Sequence, residues 1–512
     1  MSRSLTRFAP LVALLLGGCM VGPNYRQPMP PPTATASFVD PGASAQALPS
    51  NWWRLYADPT LDALVDEALR HNIDVRVAAA NLTKARYVLS EARAGRLPTT
   101  NSTAGYTRQR IGADQLGTTT GTTTTGAGAT GGTGTGVGTG IGAGTGTTTG
   151  IASTASGYTF DYYNLGFNVS YELDLFGGVS RSIEAARGDY AVAAAALDAA
   201  RVTVAAETAR SYADVCGYAV QAASARETID LQARTLDLTN RLNEGGRGTQ
   251  RDVDQARTLY EQARAELPTI EGEQRAALAA LATLTGRTPA ALDPVIASCG
   301  KIPQLAAPLP AGDGRTLLAR RPDVRRAERQ LAADTARIGV AVADLYPTIT
   351  LAGAVSLGST RIGDIGKARS FGYSLGPLIS WNFPIQSAAR ARVHEARATA
   401  EGSLASFDGA ILTALKETEQ ALARLDAEQR RNAALQAAYT AAADAAKLSR
   451  YRFDYGSDSF FQLLDAERTR AQASAALATS STALIDDQVD LFRALGGGWE
   501  EAPPVTTVSA QK

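Results

Sequence analysis

The sequence predicts an α+β membrane protein that is built from two copies of one structural unit. Three observations predict this class. Long stretches of the 512-residue chain match each other at fixed offsets. Short segments alternate apolar and polar residues, which is typical of membrane strands. Longer segments repeat apolar residues every seven positions, which is typical of helices that pack along each other.

The N-terminus carries the most specific local motif. Residues 1–18 are predicted to be a secretory signal peptide, because two arginines precede an apolar run too short to span a bilayer. The run ends in Leu-Gly-Gly-Cys, which resembles a bacterial lipobox and implies cleavage before Cys19 and lipidation of that cysteine. An ordinary signal peptide with an incidental cysteine is the alternative. Met20 follows Cys19, so the resemblance suggests sorting to the outer membrane, where the lipid would anchor the chain without spanning the bilayer.

An internal repeat organises the rest of the chain. Pro98 and Pro347 lie in matching stretches 249 positions apart, whereas Gly246 and Gly456 match at an offset of 210. The change of offset leaves 39 extra residues in the first copy, between its two predicted strands. A tract rich in glycine and threonine, at 112–157, lies at this place. We predict that this tract is an insertion in a loop that the second copy keeps short.

The repeated unit has one order of elements. It begins with a helix that a proline ends, continues with a strand, a turn and a strand, and closes with a long helix, a tight turn and a further helix. The first repeat is predicted at 51–286, with a β-hairpin at 97–175 and a helical hairpin at 179–286. The second is predicted at 321–495, with hairpins at 346–385 and 388–495. The connecting segments are a lipidated extended segment, an equatorial linker and a flexible C-terminus, at 19–50, 287–320 and 496–512.

The predicted strands have one apolar and one polar face. Apolar residues occupy alternate positions at 165–175 and again at 371–385. A length of about ten residues with this alternation fits a strand of a membrane β-barrel. A half-buried strand of a soluble sheet is the alternative for any single strand. Since four strands cannot close a barrel, several chains would have to share one.

The predicted long helices have coiled-coil spacing. Ile183, Tyr190 and Leu197 are seven residues apart, and the segment 179–243 contains no proline. As one helix this segment would span about 100 Å at 1.5 Å per residue. Pro268 should bend the partner helix that contains it, after the turn.

Cys216 and Cys299 remain once Cys19 is set aside. In an oxidising periplasm two cysteines can pair. Whether they do depends on a Cα separation that a sequence does not supply. A structural disulfide and two buried thiols are therefore both open at this point.

The composition indicates neither catalysis nor a nucleic-acid partner. Lys and Arg total 50 against 50 Asp and Glu, and no basic run occurs. His71 and His394 have no cysteine or second histidine at metal-ligand spacing. The glycine-rich tract lacks the preceding strand and the following lysine of a nucleotide-binding loop. We predict a non-enzymatic protein with no cofactor and no metal.

Five stretches of the sequence together resemble the TolC-like outer-membrane factor family, in its lipoprotein branch of the NodT/OprM type. They are "CMVGPNYRQP", "RRPDVRRAERQLAADTARIGVAVADLYPTITLAG", "YELDLFGGVSR" and the pair "GTQRDVDQAR" and "SFFQLLDAERTR". The resemblance extends from Cys19 to about residue 498. It implies a homotrimer in which each chain gives four strands to a twelve-stranded outer-membrane β-barrel, continuous with a long periplasmic α-helical barrel. Residues 287–320 and the chain ends would form a belt around this tunnel.

The same resemblance implies a function and partners. The trimer would be the passive export duct of a tripartite efflux system, in contact with outer-membrane lipid. A periplasmic adaptor and an inner-membrane transporter, of RND type, would dock on the tips of the helical hairpins. The exit duct of a type I secretion system is an alternative, and a lipid-anchored periplasmic interaction protein is a weaker one. The glycine and threonine tract would then lie outside the cell, where a solvated loop tolerates insertion.

The closed end of such a duct is predicted at the two hairpin turns, 243–254 and 452–465. In the family an acidic residue just inside the second turn rings the constriction, and the motif alignment puts Asp465 there. Three symmetry-related carboxylates near one axis would attract cations. Two positions depart from the motif: Gln462 replaces an acid, and Asp458 replaces a basic or polar residue. The predicted gate residues are Asp465, Asp458, Asp252 and Arg247, and the alternative is that these charges only solvate the turns.

Adaptor contact is predicted at small residues of the same turns. Gly246, Gly248, Gly456 and Ser457 would leave a groove between neighbouring tips, and the first and third match across the repeat. Glycines also permit the chain reversal itself.

Overall fold

The computed structural model describes residues 20–39, 49–111, 158–291, 294–297, 299–305 and 312–505. The chain is 69% helical and has a small antiparallel sheet. It divides into a helical unit and a strand unit, and the strand unit comprises Gly95–Asp174 and Pro347–Trp381. The predicted signal peptide, Cys19 and the insertion at 112–157 lie outside the described residues.

The strand unit is a four-stranded antiparallel sheet in which the strands follow their order in the chain. The strands are β1 Thr99–Ile111, β2 Tyr158–Leu173, β3 Thr348–Ser359 and β4 Phe371–Ser380. The last strand is shorter than predicted. Pro384 has no N–H group to continue a ladder, and the apolar residues at 381, 383 and 385 lie beyond the strand end.

The strand register brings the predicted apolar positions onto one face. Phe167 lies opposite Val355, which in turn lies opposite Tyr373. The alternation predicted at 165–175 and 371–385 is therefore confirmed in β2 and β4, and β3 between them follows the same pattern. In β1 the position opposite Phe167 is Ser102, so this strand has a weaker apolar pattern than the other three. The Tyr373 side chain is 78% exposed in the single chain, and a continuous exposed apolar face of this kind marks a membrane or partner contact.

The helical unit contains nine helices among the described residues. They are α1 Pro59–His71, α2 Ile73–Ala94, α3 Gly178–Glu244, α4 Gln250–Leu284, α5 Pro294–Ala297, α6 Gly314–Arg320, α7 Pro322–Ala343, α8 Ser387–Asp454 and α9 Phe460–Ala494. We call α3 with α4 the first hairpin and α8 with α9 the second hairpin. No described helix combines the length and the apolar character that a bilayer crossing requires.

The element bounds confirm two structural repeats. Helices α2 and α7 each have 22 residues and begin 249 positions apart. Helices α4 and α9 each have 35 residues and begin 210 positions apart. The long helices α3 and α8 have 67 and 68 residues, and α4 continues as one helix through Pro268.

The main hydrophobic core lies where the segment before α1 packs against α3 and α9. Trp52 stacks on Phe492 with ring centroids 4.4 Å apart, and Trp53 meets Trp52 edge-on. All three rings are buried. Ala205 and Ala209 of α3 belong to the same cluster. Small side chains on α3 make room for the large rings, and each buried ring contributes about 1.5–3 kcal/mol through burial.

A disulfide joins α3 to the segment that follows α4. Cys216 and Cys299 are bonded, their Cα atoms are 5.0 Å apart, and 83 positions separate them in the chain. Cys216 is fully buried in the main core. The bond therefore fixes part of the predicted equatorial linker on the long helix.

The segment after the predicted lipidation site is held by one arginine. The Arg181 side chain of α3 is 1% exposed and donates hydrogen bonds to the carbonyl oxygens of Val21 and Gly22 and to Oδ1 of Asn24. The Val21 N–H group donates to the carbonyl oxygen of Phe176. Several bonds to one buried guanidinium fix the direction of this extended stretch.

The contact between α3 and α9 also holds an excess of acidic groups. Arg210 of α3 lies 2.5 Å from Asp490 and 3.6 Å from Asp486, both on α9. Burial, together with the negative charge of Asp214, raises the pKa of Asp486 to about 7. One arginine thus serves several carboxylates, and a proton on Asp486 relieves their repulsion.

We expect removal of the disulfide to destabilise the fold. In the chain-entropy model, closing a loop of this length contributes about 4.5 kcal/mol. The double variant Cys216→Ser/Cys299→Ser should therefore unfold at lower urea concentration than the wild type. Reduced wild-type protein is the control and should match the variant. Equal midpoints for the variant and the oxidised wild type would contradict this expectation.

We expect Asp486 to make stability fall as the pH rises. The folded chain binds its proton more tightly than an unfolded aspartate, whose pKa is 3.8, so the contribution is complete below about pH 4 and is lost through pH 7. Asp486→Asn should raise the melting temperature at pH 8 more than at pH 5, measured by circular dichroism. Asp426→Asn, at a half-exposed site on α8, is the control. An equal shift at both pH values would refute the assignment.

Candidate functional site at the helical hairpin tips

The two hairpin tips have the same backbone geometry. In each, five residues separate the long helix from the shorter one. Gly246 and Gly456 have φ angles of 70° and 74°, in the left-handed region that favours glycine. After each of them, the N–H group of Arg247 or Ser457 donates to a carbonyl oxygen of the preceding helix at 2.8 Å. These bonds close both long helices in the same way.

Both shorter helices begin with a capping box. At the first tip the Asp252 carboxylate accepts from the N–H group of Thr249 at 3.0 Å, and the Asp252 N–H group donates back to the Thr249 hydroxyl at 3.3 Å. At the second tip Gln462 and Ser459 make the corresponding pair of bonds. The predicted gate residue Asp252 therefore caps the N-terminus of α4. Gln462 caps the N-terminus of α9 in the same way, without a charge.

Asp458 forms hydrogen bonds that stabilise the turn in which it lies. Its carboxylate accepts from Nε of Arg452 at 2.7 Å and from the hydroxyl of Ser449 at 3.2 Å. Its side chain is 10% exposed. The Asp458 carboxylate therefore interacts mainly with residues of the second tip itself.

Asp465 has the most open carboxylate of the three predicted acids. Its side chain is 66% exposed and pairs with Arg468 one turn further along α9. It lines a groove between α4 and α9 together with Leu259 and Phe461. The guanidinium of Arg251 lies 5.9 Å from the centre of the Phe461 ring, so the first hairpin contacts the second beside this acid.

The remaining predicted tip residues are either exposed or close to neighbouring backbone atoms. Arg247 is exposed, and its side chain forms no ion pair with the described residues. A Cβ atom on Gly248 would lie 3.2 Å from the backbone nitrogen of Asn243, whereas one on Gly246 or Gly456 would meet open space. The left-handed backbone therefore favours glycine at 246 and 456, and the nearby backbone leaves little space for a side chain at 248.

One buried acid near the second tip is not among the predicted residues. Glu467 lies two positions beyond Asp465, is 4% exposed and pairs with Arg450. A glutamate at a helix position that faces other helices is the sequence signal that could have found it. The motif comparison directs attention to the turn itself and misses this position.

Comparison with known proteins identifies the family. The model of the outer membrane efflux protein family matches residues 64–287 and 314–497, which are the two repeats. The outer membrane protein OprJ of Pseudomonas aeruginosa is 31% identical over 497 residues, with 96% of each chain covered. Nodulation protein T of Rhizobium leguminosarum is 29% identical over 503 residues, covering 98% of this chain and 94% of the relative.

Solved structures agree in fold. The outer-membrane channel OprN is 31% identical, has a TM-score of 0.80, and the match covers 94% of this chain and all of that one. The CmeC outer membrane channel of Campylobacter jejuni has a TM-score of 0.79 at 19% identity and supports the fold alone; this match covers 95% of this chain and 96% of that one. Since the family model covers most of the chain and OprJ matches nearly all of it, the chain belongs to the outer membrane efflux protein family and is a TolC-like trimeric efflux channel of the outer membrane.

Proposed function

We propose that the trimer is a passive duct through which an RND-type inner-membrane pump, joined by a periplasmic adaptor, exports its substrates. The observation that carries this proposal is the matched geometry of the two hairpin tips. In each tip a glycine with a left-handed backbone ends the long helix, and a capping box begins the shorter one. Family membership supports the efflux role. The duct itself performs no reaction in this proposal, because the pump supplies the driving force.

The substrate is set by the pump rather than by the duct. Relatives of similar identity are named for toluene efflux, antibiotic efflux and pyoverdine export. These compounds differ widely in size and polarity. Since related ducts are named for such different compounds, we propose a conduit without a selective binding pocket.

We propose that lipid on Cys19 anchors the chain to the outer membrane. The lipobox motif supports this modification. The segment directly after it is held by Arg181, which would keep a lipid-bearing terminus in a fixed place on the helical unit.

Asp465 is the proposed pore acid. It is exposed near the second tip, whereas Asp252 and Asp458 are engaged in turn contacts. In a trimer three copies would attract cations and slow their passage. Asp252, Asp458 and Arg247 are proposed to shape the closed tips around it.

The adaptor is proposed to contact Gly246, Gly248, Gly456 and Ser457. The first and third have open space where a side chain would begin. Ser457 is exposed beside Gly456. Small exposed residues at both tips would let a partner helix approach the backbone closely.

We expect Asp465→Asn to weaken cation blockade. Purified wild-type trimer in a planar bilayer should pass small, cation-preferring currents that divalent cations block. Loss of three carboxylates from the pore should raise the blocking concentration severalfold, because the local attraction for cations falls. Asp426→Asn should leave blockade unchanged. Asp426 is also paired with an arginine, but it lies on α8, away from the hairpin tip. No current from the wild-type trimer would refute the duct function, and unchanged blockade would refute only the role of Asp465.

We expect Gly456→Asn to impair efflux without impairing the fold. Asparagine tolerates the left-handed conformation, so the turn should persist while a side chain enters the proposed contact. Cells with the variant should lose drug resistance and adaptor cross-linking, while trimer level stays normal. Gly272→Asn, at an open position on α4, is the matched control. Full resistance with Gly456→Asn would exclude adaptor contact at this tip.

A further inference from the structure

Among the described residues of the strand unit, charged side chains lie only near its two ends. The strand ends that lead into helices carry one cation and two acids, whereas the opposite ends carry five cations and two acids. The five cations are Arg108, Arg110, Arg361, Lys367 and Arg369, which we call the outer cation cluster. Because the helices of this outer-membrane channel extend into the periplasm, the cluster lies at the end that faces away from the periplasm.

The strand register places two of these cations on the apolar face of the sheet. Phe167 lies opposite Ser102 of β1, and side chains alternate between faces, so the even-numbered residues of β1 share the face of Phe167. Tyr106, Arg108 and Arg110 are therefore successive residues of that face, and all three are exposed. In a membrane barrel the apolar face contacts lipid. This face thus changes, in the outward direction, from apolar to aromatic and then to cationic.

The position of Arg108 matches the outer surface of a bilayer. Its partner in the register is Asp161, ten positions along β2 from Tyr171, which lies on the same face. Ten residues of strand measure about 34 Å, and a tilt of about 40° reduces this to about 26 Å across the membrane. The apolar band of a membrane barrel is about 25 Å tall. With Tyr171 at the inner interface, Arg108 lies at the level of the outer lipid headgroups.

Aromatic side chains lie directly below the cations. The ring centres of Tyr106 and Tyr163 are 5.0 Å apart, one step from Arg108 along the strands. Phe371 begins β4 on the same face, and its side chain is 54% exposed. Girdles of aromatic residues mark the interfaces of a membrane barrel, where acyl chains give way to headgroups. Cations just outside such a girdle therefore meet headgroups rather than hydrocarbon.

The acid on β2 leaves the cations of β1 available. Oδ1 of Asp161 accepts from the Tyr106 hydroxyl at 2.8 Å and lies 3.8 Å from Nε of Arg108. The Arg108 side chain is 68% exposed. Arg110 is exposed and forms no ion pair with the described residues. Both guanidinium groups can therefore bind a further anion.

The turn between β3 and β4 adds cations at the same level. The last residue of β3 lies opposite Tyr163, so the turn begins at the aromatic level. Asp364 pairs with Lys367 at 2.6 Å and also with Arg369. One carboxylate thus gathers two cations and leaves a net positive charge. Arg361 of the same turn is exposed and forms no ion pair with the described residues.

We propose that the outer cation cluster binds phosphate groups of anionic lipid in the outer leaflet of the outer membrane. Arg108 and Arg110 hold the phosphate of one lipid molecule, whose acyl chains lie along the apolar face at Phe167. Guanidinium groups suit phosphate because their N–H groups form paired, charge-assisted hydrogen bonds with its oxygens. The proposal concerns the membrane around the channel and depends on neither the pump nor the adaptor.

Charge and depth together select this occupant. Five cations with two acids attract an anion, and clusters of basic residues at a membrane surface bind anionic headgroups. The apolar surface directly below them requires a partner with hydrocarbon chains. A free anion would leave that surface uncovered, and a neutral lipid would leave the cations without a partner.

The test measures lipid binding by the intact trimer in detergent micelles. Fluorescent lipid A with both phosphate groups is titrated into the wild type and into Arg108→Gln/Arg110→Gln. The double variant should have a severalfold higher dissociation constant, because two cations are lost at headgroup level. Arg430→Gln/Arg431→Gln is the matched control. It removes two exposed arginines from α8 and should leave binding unchanged.

Further arms separate phosphate recognition from other causes of binding. Lipid A without phosphate groups should bind the wild type severalfold more weakly and should not distinguish it from Arg108→Gln/Arg110→Gln. Arg108→Lys/Arg110→Lys should restore much of the binding, because lysine also binds phosphate as a point charge. Inorganic phosphate at equal concentration should not displace the lipid, because it has no acyl chains.

Each contrary result overturns the proposal. Equal dissociation constants for the wild type and Arg108→Gln/Arg110→Gln would exclude these arginines. Equal binding of the dephosphorylated lipid would mean that acyl chains alone account for binding, and displacement by inorganic phosphate would exclude lipid as the occupant. If the double variant yields no trimer, Arg361→Gln/Lys367→Gln is the second variant, because it leaves Asp364 paired with Arg369. It should also weaken binding, and unchanged binding there overturns the proposal.

Discussion

The close approach of α3 to its neighbours is the constraint on which the helical unit depends. Helix α3 contacts α2, α4, α7 and α9. At Gly217 a Cβ atom would collide with the side chain of Thr482 on α9. Alanines such as Ala205 and Ala209 continue the same narrow surface. Larger side chains would separate the helices and remove the site on which Trp52 and Phe492 stack.

Much of the architecture could be predicted because the sequence contains periodic patterns, namely an internal repeat and the alternation of apolar and polar residues. The offsets of 249 and 210 anticipate the bounds of α2 with α7 and of α4 with α9. The alternation around Phe167 anticipates the strand register. These features depend on residues near each other in the chain or on copies of the same pattern. Local chemistry is sufficient for them.

The roles of individual charges could not be predicted in the same way. Asp252 and Asp465 look alike in the sequence, yet one carboxylate caps a helix and the other is exposed. Capping depends on which residue begins the helix, and a shift of one position reassigns the role. Glu467 is harder still, because its partners lie on α8 and α3, far away in the chain. Only the meeting of three helices distinguishes it from a surface glutamate.

The bond between Cys216 and Cys299 also affects when the chain becomes stable. Thiols stay reduced in a bacterial cytoplasm, so this cross-link is absent while the chain is being synthesised. Its two ends are 83 positions apart, and Cys216 is a fully buried member of the main core. A chain that lacks this bond has a less stable core, because its unfolded state is less constrained. In an outer-membrane protein the bond can form only after the chain has left the reducing cytoplasm, so the last increment of stability comes after export.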